Sequence, residues 1–87
     1  MAKYTVQIIC SSNKCWKCRR GEDNFRQVIK ERSLDAEIIY ITEIKEMIKF
    51  PTPFVPSFFV NNRLVSRGLI PPVEVIRDFF MQLEKEN

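Results

Sequence analysis

Residues Tyr4 to Cys10 alternate between two faces, with Tyr4, Val6, Ile8 and Cys10 on one and Thr5, Gln7 and Ile9 on the other. From Cys15 onward the period changes, and Cys18, Phe25, Val28 and Ile29 recur at helical spacing. The β-branched and aromatic run Ala36-Glu37-Ile38-Ile39-Tyr40-Ile41 then reads as a second strand. Two strands joined through a helix are parallel and cross over with right-handed sense, so the first half of the chain is a β-α-β unit with one face of strand one against the helix. The helix is expected from about Cys15 to Arg32. Gly21 falls on the same side as Cys18 and Phe25, where a residue without a Cβ lets a neighbouring element approach closely.

The second half is punctuated by proline and turn residues. Thr42 can cap a short helix reaching Phe50, with Ile44, Met47 and Ile48 facing inward, and Pro51 ends it. Pro51-Thr52-Pro53-Phe54-Val55-Pro56 is too proline-rich for helix or central strand and reads as a shaped loop. Ser57 to Val60 and Leu64 to Ser66 are two short strands joined around Asn61-Asn62, a pair that tolerates the positive φ of a tight hairpin. After Gly68, Pro71-Pro72 stands where a helix start accepts proline, and Val73, Ile76, Phe79, Phe80 and Leu83 form the buried stripe of a last helix. The order is βαβαββα: an α/β fold with a four-stranded mixed sheet and helices on both faces. The 87 residues suffice for one domain with one modest core, spanning 1–87.

Composition excludes more than it assigns. A hydrophobic content of 45% with 29% charged residues is that of a globular chain, and no tract is long and apolar enough for a membrane span or a signal sequence. A net charge of +3 is too mild to argue for nucleic acid. A cytoplasmic monomer is expected, with neither membrane nor nucleic acid as partner.

Within that frame Cys15-Trp16-Lys17-Cys18 carries the chemistry. Thiols at i and i+3 lie on one side of a helical turn, close enough to close a reversible disulfide or to pinch a metal. In a reducing compartment such a pair is catalytic or metal-binding rather than a structural staple. Three cysteines and no histidine fall short of the four N or S ligands of a closed zinc site. At the start of a helix, with Lys14 and Lys17 beside it, a thiolate at position 15 is favoured. Trp16 points outward to dock a partner or folds back over the loop. Cys10 shares the apolar face of strand one and is read as core, with a third ligand for a metal or metalloid as the other reading.

These residues, in this order, resemble the thioredoxin superfamily and its small glutaredoxin-like members. The resemblance is carried by Val6-Gln7-Ile8-Ile9-Cys10 leading to Cys15-Trp16-Lys17-Cys18, then by Val55 to Val65, then by Gly68 ahead of the final helix. It implies a cis Val55–Pro56 bond beside the CxxC, with the Val55 backbone free to pair with substrate. Cys15 is then the attacking thiol and Cys18 the resolving one, and no cofactor is required beyond a redox-active Cys15–Cys18 disulfide. The implied partners are a disulfide-bearing protein or small-molecule substrate and, as electron donor, a reductase or glutathione. Substrate contacts are expected from Val55, Pro56, Trp16, Lys14 and Lys17. Trp16-Lys17 is neither the Gly-Pro of typical thioredoxins nor the Pro-Tyr of typical glutaredoxins, and Leu69-Ile70-Pro71-Pro72 replaces the Gly-Gly-Asp with which many glutaredoxins hold glutathione. The function expected is thiol-disulfide exchange. The alternative is a module that binds a metal, a metalloid or an iron–sulfur cluster through the same thiols.

Overall fold

The structure is a computed structural model and describes residues 2–10, 15–50 and 55–86. Its elements follow the order β1 (Tyr4–Ile9), α1 (Trp16–Glu31), β2 (Ala36–Ile41), α2 (Ile44–Met47), β3 (Ser57–Val60), β4 (Arg63–Arg67) and α3 (Val73–Lys85). The strands form one sheet in the order β2-β1-β3-β4. β1 pairs in parallel with β2, as the helical crossover requires, and antiparallel with β3, which pairs antiparallel with β4. Lys14 and the loop residues Pro51 to Phe54 lie outside the described residues.

The alternation of β1 decides what goes where. Tyr4, Val6, Ile8 and Cys10 face a core completed by Phe58 and Val60 of β3, by Cys18, Phe25 and Val28 of α1, and by Ile76, Phe80 and Leu83 of α3. Register supports this, because Ile8 lies opposite Phe58 and Val6 opposite Val60. Phe25 is the hub of the aromatics: its ring centroid is 6.0 Å from Phe58 and 6.4 Å from Phe80. At the periphery, Arg77 grips Glu31 through two bonds of 2.7 and 3.0 Å, and Arg32 meets Glu84 at 2.9 Å, so ion pairs join the edges of α1 and α3.

The opposite face is covered more lightly. Ile9 and Phe59 are buried there, with the Phe50 ring centroid 4.8 Å from that of Phe59. α2 has only four residues, and Ile44 and Ile48 are 77% and 76% exposed, so the inward stripe expected for this helix does not form. Too short for a complete apolar face, α2 leaves the cover to the turn carrying Phe50.

Two turns account for their sequences. α1 ends with Ser33 at φ 52°, the Leu34 N–H donating to Ile29 C=O at 3.0 Å and the Ser33 N–H to Lys30 C=O at 3.3 Å, which is a Schellman closure with serine in the glycine position. The β3–β4 hairpin turns on Asn61 and Asn62, both at positive φ. Their side chains hold the turn to β1. Asn61 Oδ1 accepts from the Thr5 N–H, and Gln7 donates to Asn62 Oδ1 and accepts from the Asn62 N–H, each at 2.8 Å.

Candidate active site

The carboxyl end of β1 runs toward the amino end of α1, which brings Cys10 and the CxxC to one corner of the sheet. β3 begins at the same corner, since Ile9, the residue before Cys10, lies opposite Ser57, the residue after Pro56. The Val55–Pro56 bond is cis, Val55 is exposed, and the Pro56 carbonyl accepts from the Gly68 N–H at 2.6 Å. Gly68, at φ 74°, makes the turn that returns the chain from β4 to this corner.

Cys15 is the N-cap of α1, in extended conformation, and its carbonyl accepts from the Arg19 N–H at 3.1 Å. The Cys15 side chain makes no capping bond, and the positive end of the α1 dipole lies at the residue that carries the thiol. Trp16 is 65% exposed and lies on the outside of the turn. Lys17 is also exposed, its ammonium 5.9 Å from the Trp16 ring centroid. Cys18 faces inward and is fully buried beside Gly21 and Phe25.

The disulfide of the structure differs from the expected Cys15–Cys18 pairing. Cys18 is bonded to Cys10, their Cα atoms 6.5 Å apart, and Cys15 keeps a free, half-buried thiol. The physical reason is side-chain direction: Cys10 continues the α1-facing row of β1, and Cys18 points from α1 back toward that row. All three sulfur atoms lie within 4.8 Å of one another. Sequence reasoning had Cys10 on the right face and treated it as packing. The signal it passed over is that an inward CxxC cysteine and the last inward residue of the preceding strand must meet in a β-α-β unit.

An apolar groove of about 440 Å³ opens beside the site, between the end of β4 and the start of α3. Lys17 borders it, with Val65, Leu69, Ile70, Pro71 and Val75 among its walls. Asn24 of α1 donates to the Pro71 carbonyl at 2.9 Å and fixes the groove's far lip to the helix that carries the cysteines. A strand end, a helix N-terminus with a free thiol and a cis-proline turn thus converge on one corner. The thioredoxin domain family matches residues 4–81, from the first strand into the last helix.

The chain belongs to the thioredoxin family. It is 31% identical over 80 residues to a thioredoxin of Methanocaldococcus jannaschii, a match that covers 90% of each chain. As in the thioredoxin architecture expected from sequence, the parallel β1–β2 pair and the β3–β4 hairpin share one sheet, and the CxxC stands at the β1–α1 junction. Among the described residues no helix is long and apolar enough to cross a membrane.

Proposed function

We propose that this thioredoxin-family redox protein is a small thiol-disulfide oxidoreductase that exchanges a Cys15–Cys18 dithiol with disulfides of proteins or small molecules. The observation that carries the reading is the free Cys15 thiol at the N-terminus of α1, within 4.8 Å of the Cys18 sulfur. In the reduced protein the Cys15 thiolate attacks one sulfur of the substrate disulfide, a mixed disulfide forms, and the other substrate sulfur leaves as a thiolate and takes a proton. The Cys18 thiolate then attacks Cys15 Sγ, closing Cys15–Cys18 and releasing the second substrate thiolate. Two electrons have passed to the substrate, and a reductase or a small thiol such as glutathione returns them. Substrate contacts are assigned to Val55, Pro56, Trp16, Lys17 and Lys14; the exposure of Trp16 and Val55 and the cis Val55–Pro56 bond support that reading. The cytosol, where thiols are kept reduced, is the compartment that suits this cycle.

The test equilibrates the protein in defined thiol buffers, traps free thiols and counts them by mass. A reversible two-thiol transition that survives Cys10→Ala is expected. Cys18→Ser should accumulate a mixed disulfide at Cys15, and trapping at Cys18 in Cys15→Ser instead would reverse the roles. The same clustering favours a second reading, because three sulfurs within 4.8 Å offer a soft metal, a metalloid or a shared iron–sulfur cluster three ligands once reduced. Stoichiometric metal protecting all three thiols of the anaerobically purified protein would favour that reading over exchange.

A further inference from the structure

We propose that Cys10 is a third redox thiol of this site, and that the oxidised protein carries one disulfide which moves between Cys10–Cys18 and Cys15–Cys18. The inference rests on Cys15 being the entry thiol of the proposed exchange and adds where the oxidising equivalent is held. Three observations meet in it: Cys10 and Cys18 are joined, both are buried with 1% and 0% exposure, and Cys15 is only half-buried, with its sulfur within 4.8 Å of both.

The step is isoelectronic and needs no oxidant. Cys15 thiolate attacks Cys18 Sγ, the Cys15–Cys18 bond forms as the Cys18–Cys10 bond breaks, and the departing electron pair stays on Cys10 Sγ, which takes up a proton. In the reverse direction Cys10 thiolate attacks Cys18 Sγ and Cys15 is released. The two forms do different work. With Cys18 held by Cys10, the oxidised protein still presents a nucleophile, and its disulfide is out of reach of external thiols. With Cys18 held by Cys15, the disulfide faces the reductant. Cys15 is therefore the gate through which the buried disulfide is formed and reduced.

The experiment compares the full-length protein with Cys15→Ser and Cys10→Ala. Oxidised wild type is quenched in acid, its free thiol alkylated, and its disulfide mapped by mass: label on Cys15 in one fraction and on Cys10 in another is expected. Cys15→Ser should still form Cys10–Cys18 in oxidising buffer, and dithiothreitol should reduce that disulfide at least about tenfold more slowly than wild type, because no internal thiolate is positioned to attack it. Cys15→Ser that keeps two free thiols in buffers that oxidise wild type would overturn the inference, as would a disulfide reduced at the wild-type rate. Cys10→Ala reads the proposed function separately. If it retains a two-thiol transition while Cys15→Ser has none, the third thiol is wrong and the exchange reading stands. If Cys10→Ala loses its transition while Cys15→Ser keeps one, the Cys15–Cys18 couple fails, and the moving disulfide with it. Circular dichroism on both variants separates these outcomes from failure to fold.

Discussion

Gly21→Ala tests how tightly α1, and with it Cys18, is seated on the sheet. Substitution of glycine by alanine inside a helix ordinarily stabilises by about 1 kcal/mol. Here a Cβ on Gly21 would overlap Cε1 and Cζ of Phe58. Phe58 cannot yield cheaply, because it is fully buried on β3 and stacked on Phe25 with 6.0 Å between ring centroids. Relief requires α1 to lift from the sheet or two core rings to repack, and overpacking of this kind costs about 1–3 kcal/mol. Overlap with two ring atoms at once puts the site in the upper part of that range, so the net effect is a loss of about 1–2 kcal/mol. For a chain of this size that lowers Tm by roughly 4–16 °C. The assay is thermal or urea unfolding in the presence of reductant, so that no disulfide contributes. A second arm places Gly21→Ala in a Phe58→Leu background, where the smaller side chain opens the space and the alanine should become neutral or stabilising, a coupling of at least about 1 kcal/mol. An unchanged or raised Tm in the single variant, or the same loss in both backgrounds, would refute the close-approach account of Gly21.

Other expectations concern the turns and the polar contacts. Ser33→Gly should stabilise by about 1 kcal/mol, since the left-handed conformation that serine holds at φ 52° costs glycine little, and a lower Tm would contradict the Schellman closure. Gln7→Met keeps size and burial but strips the hairpin of two bonds and leaves the Asn62 N–H unpaired, so a loss of about 1–3 kcal/mol in urea unfolding is expected, where an apolar-tolerant site would show none. Glu22 carries a pH dependence. Burial works to raise its pKa, yet hydrogen bonds from Tyr40 and Arg26 outweigh burial and hold it below the ordinary 4.5. A depressed folded value means that the contribution is complete above 4.5 and is lost as the pH falls through the folded value. The stability gap between wild type and Glu22→Gln should therefore narrow on acidification below that point, and a constant gap would show that the carboxylate is not the cause.

The parts of the fold that could be read from sequence are those in which one face of an element is decided by many residues together. The inward positions Tyr4, Val6 and Ile8 of β1 with Cys10 just beyond it, the 3.6-residue stripe of α1 and the Phe80-centred stripe of α3 each repeat the same choice, so their faces follow from period alone. α2 was legible as an element and misread in orientation. Its four residues supply a single turn, too few for periodicity to decide which apolar side chain goes in, and Phe50 beyond its end supplies the packing instead. The Gln7–Asn62 bonds were likewise out of reach, because a buried glutamine in an apolar strand names its partner only when the hairpin's register is known.

The site follows the same division, and the division explains the cysteines. Spacing alone places Cys15 and Cys18 near each other, because i and i+3 are local neighbours on any helical turn. Cys10 is eight residues from Cys18, across a connection that spacing cannot close. Its approach depends on two faces being turned toward each other: the parity of β1, which runs Tyr4, Val6, Ile8, Cys10, and the phase of α1, which runs Cys18, Gly21, Phe25, Val28. Each face is independently fixed by the burial of three other residues, so the meeting of Cys10 and Cys18 follows from the core and needs no added feature of the active site. Cys15 lies outside both rows, at the N-cap, where it packs half-buried against the edge of the core and keeps its thiol free. The hydrophobic packing that folds the chain therefore also sorts its three sulfurs into a buried pair and a half-buried free thiol. That sorting is a property of the fold rather than of the CxxC spacing.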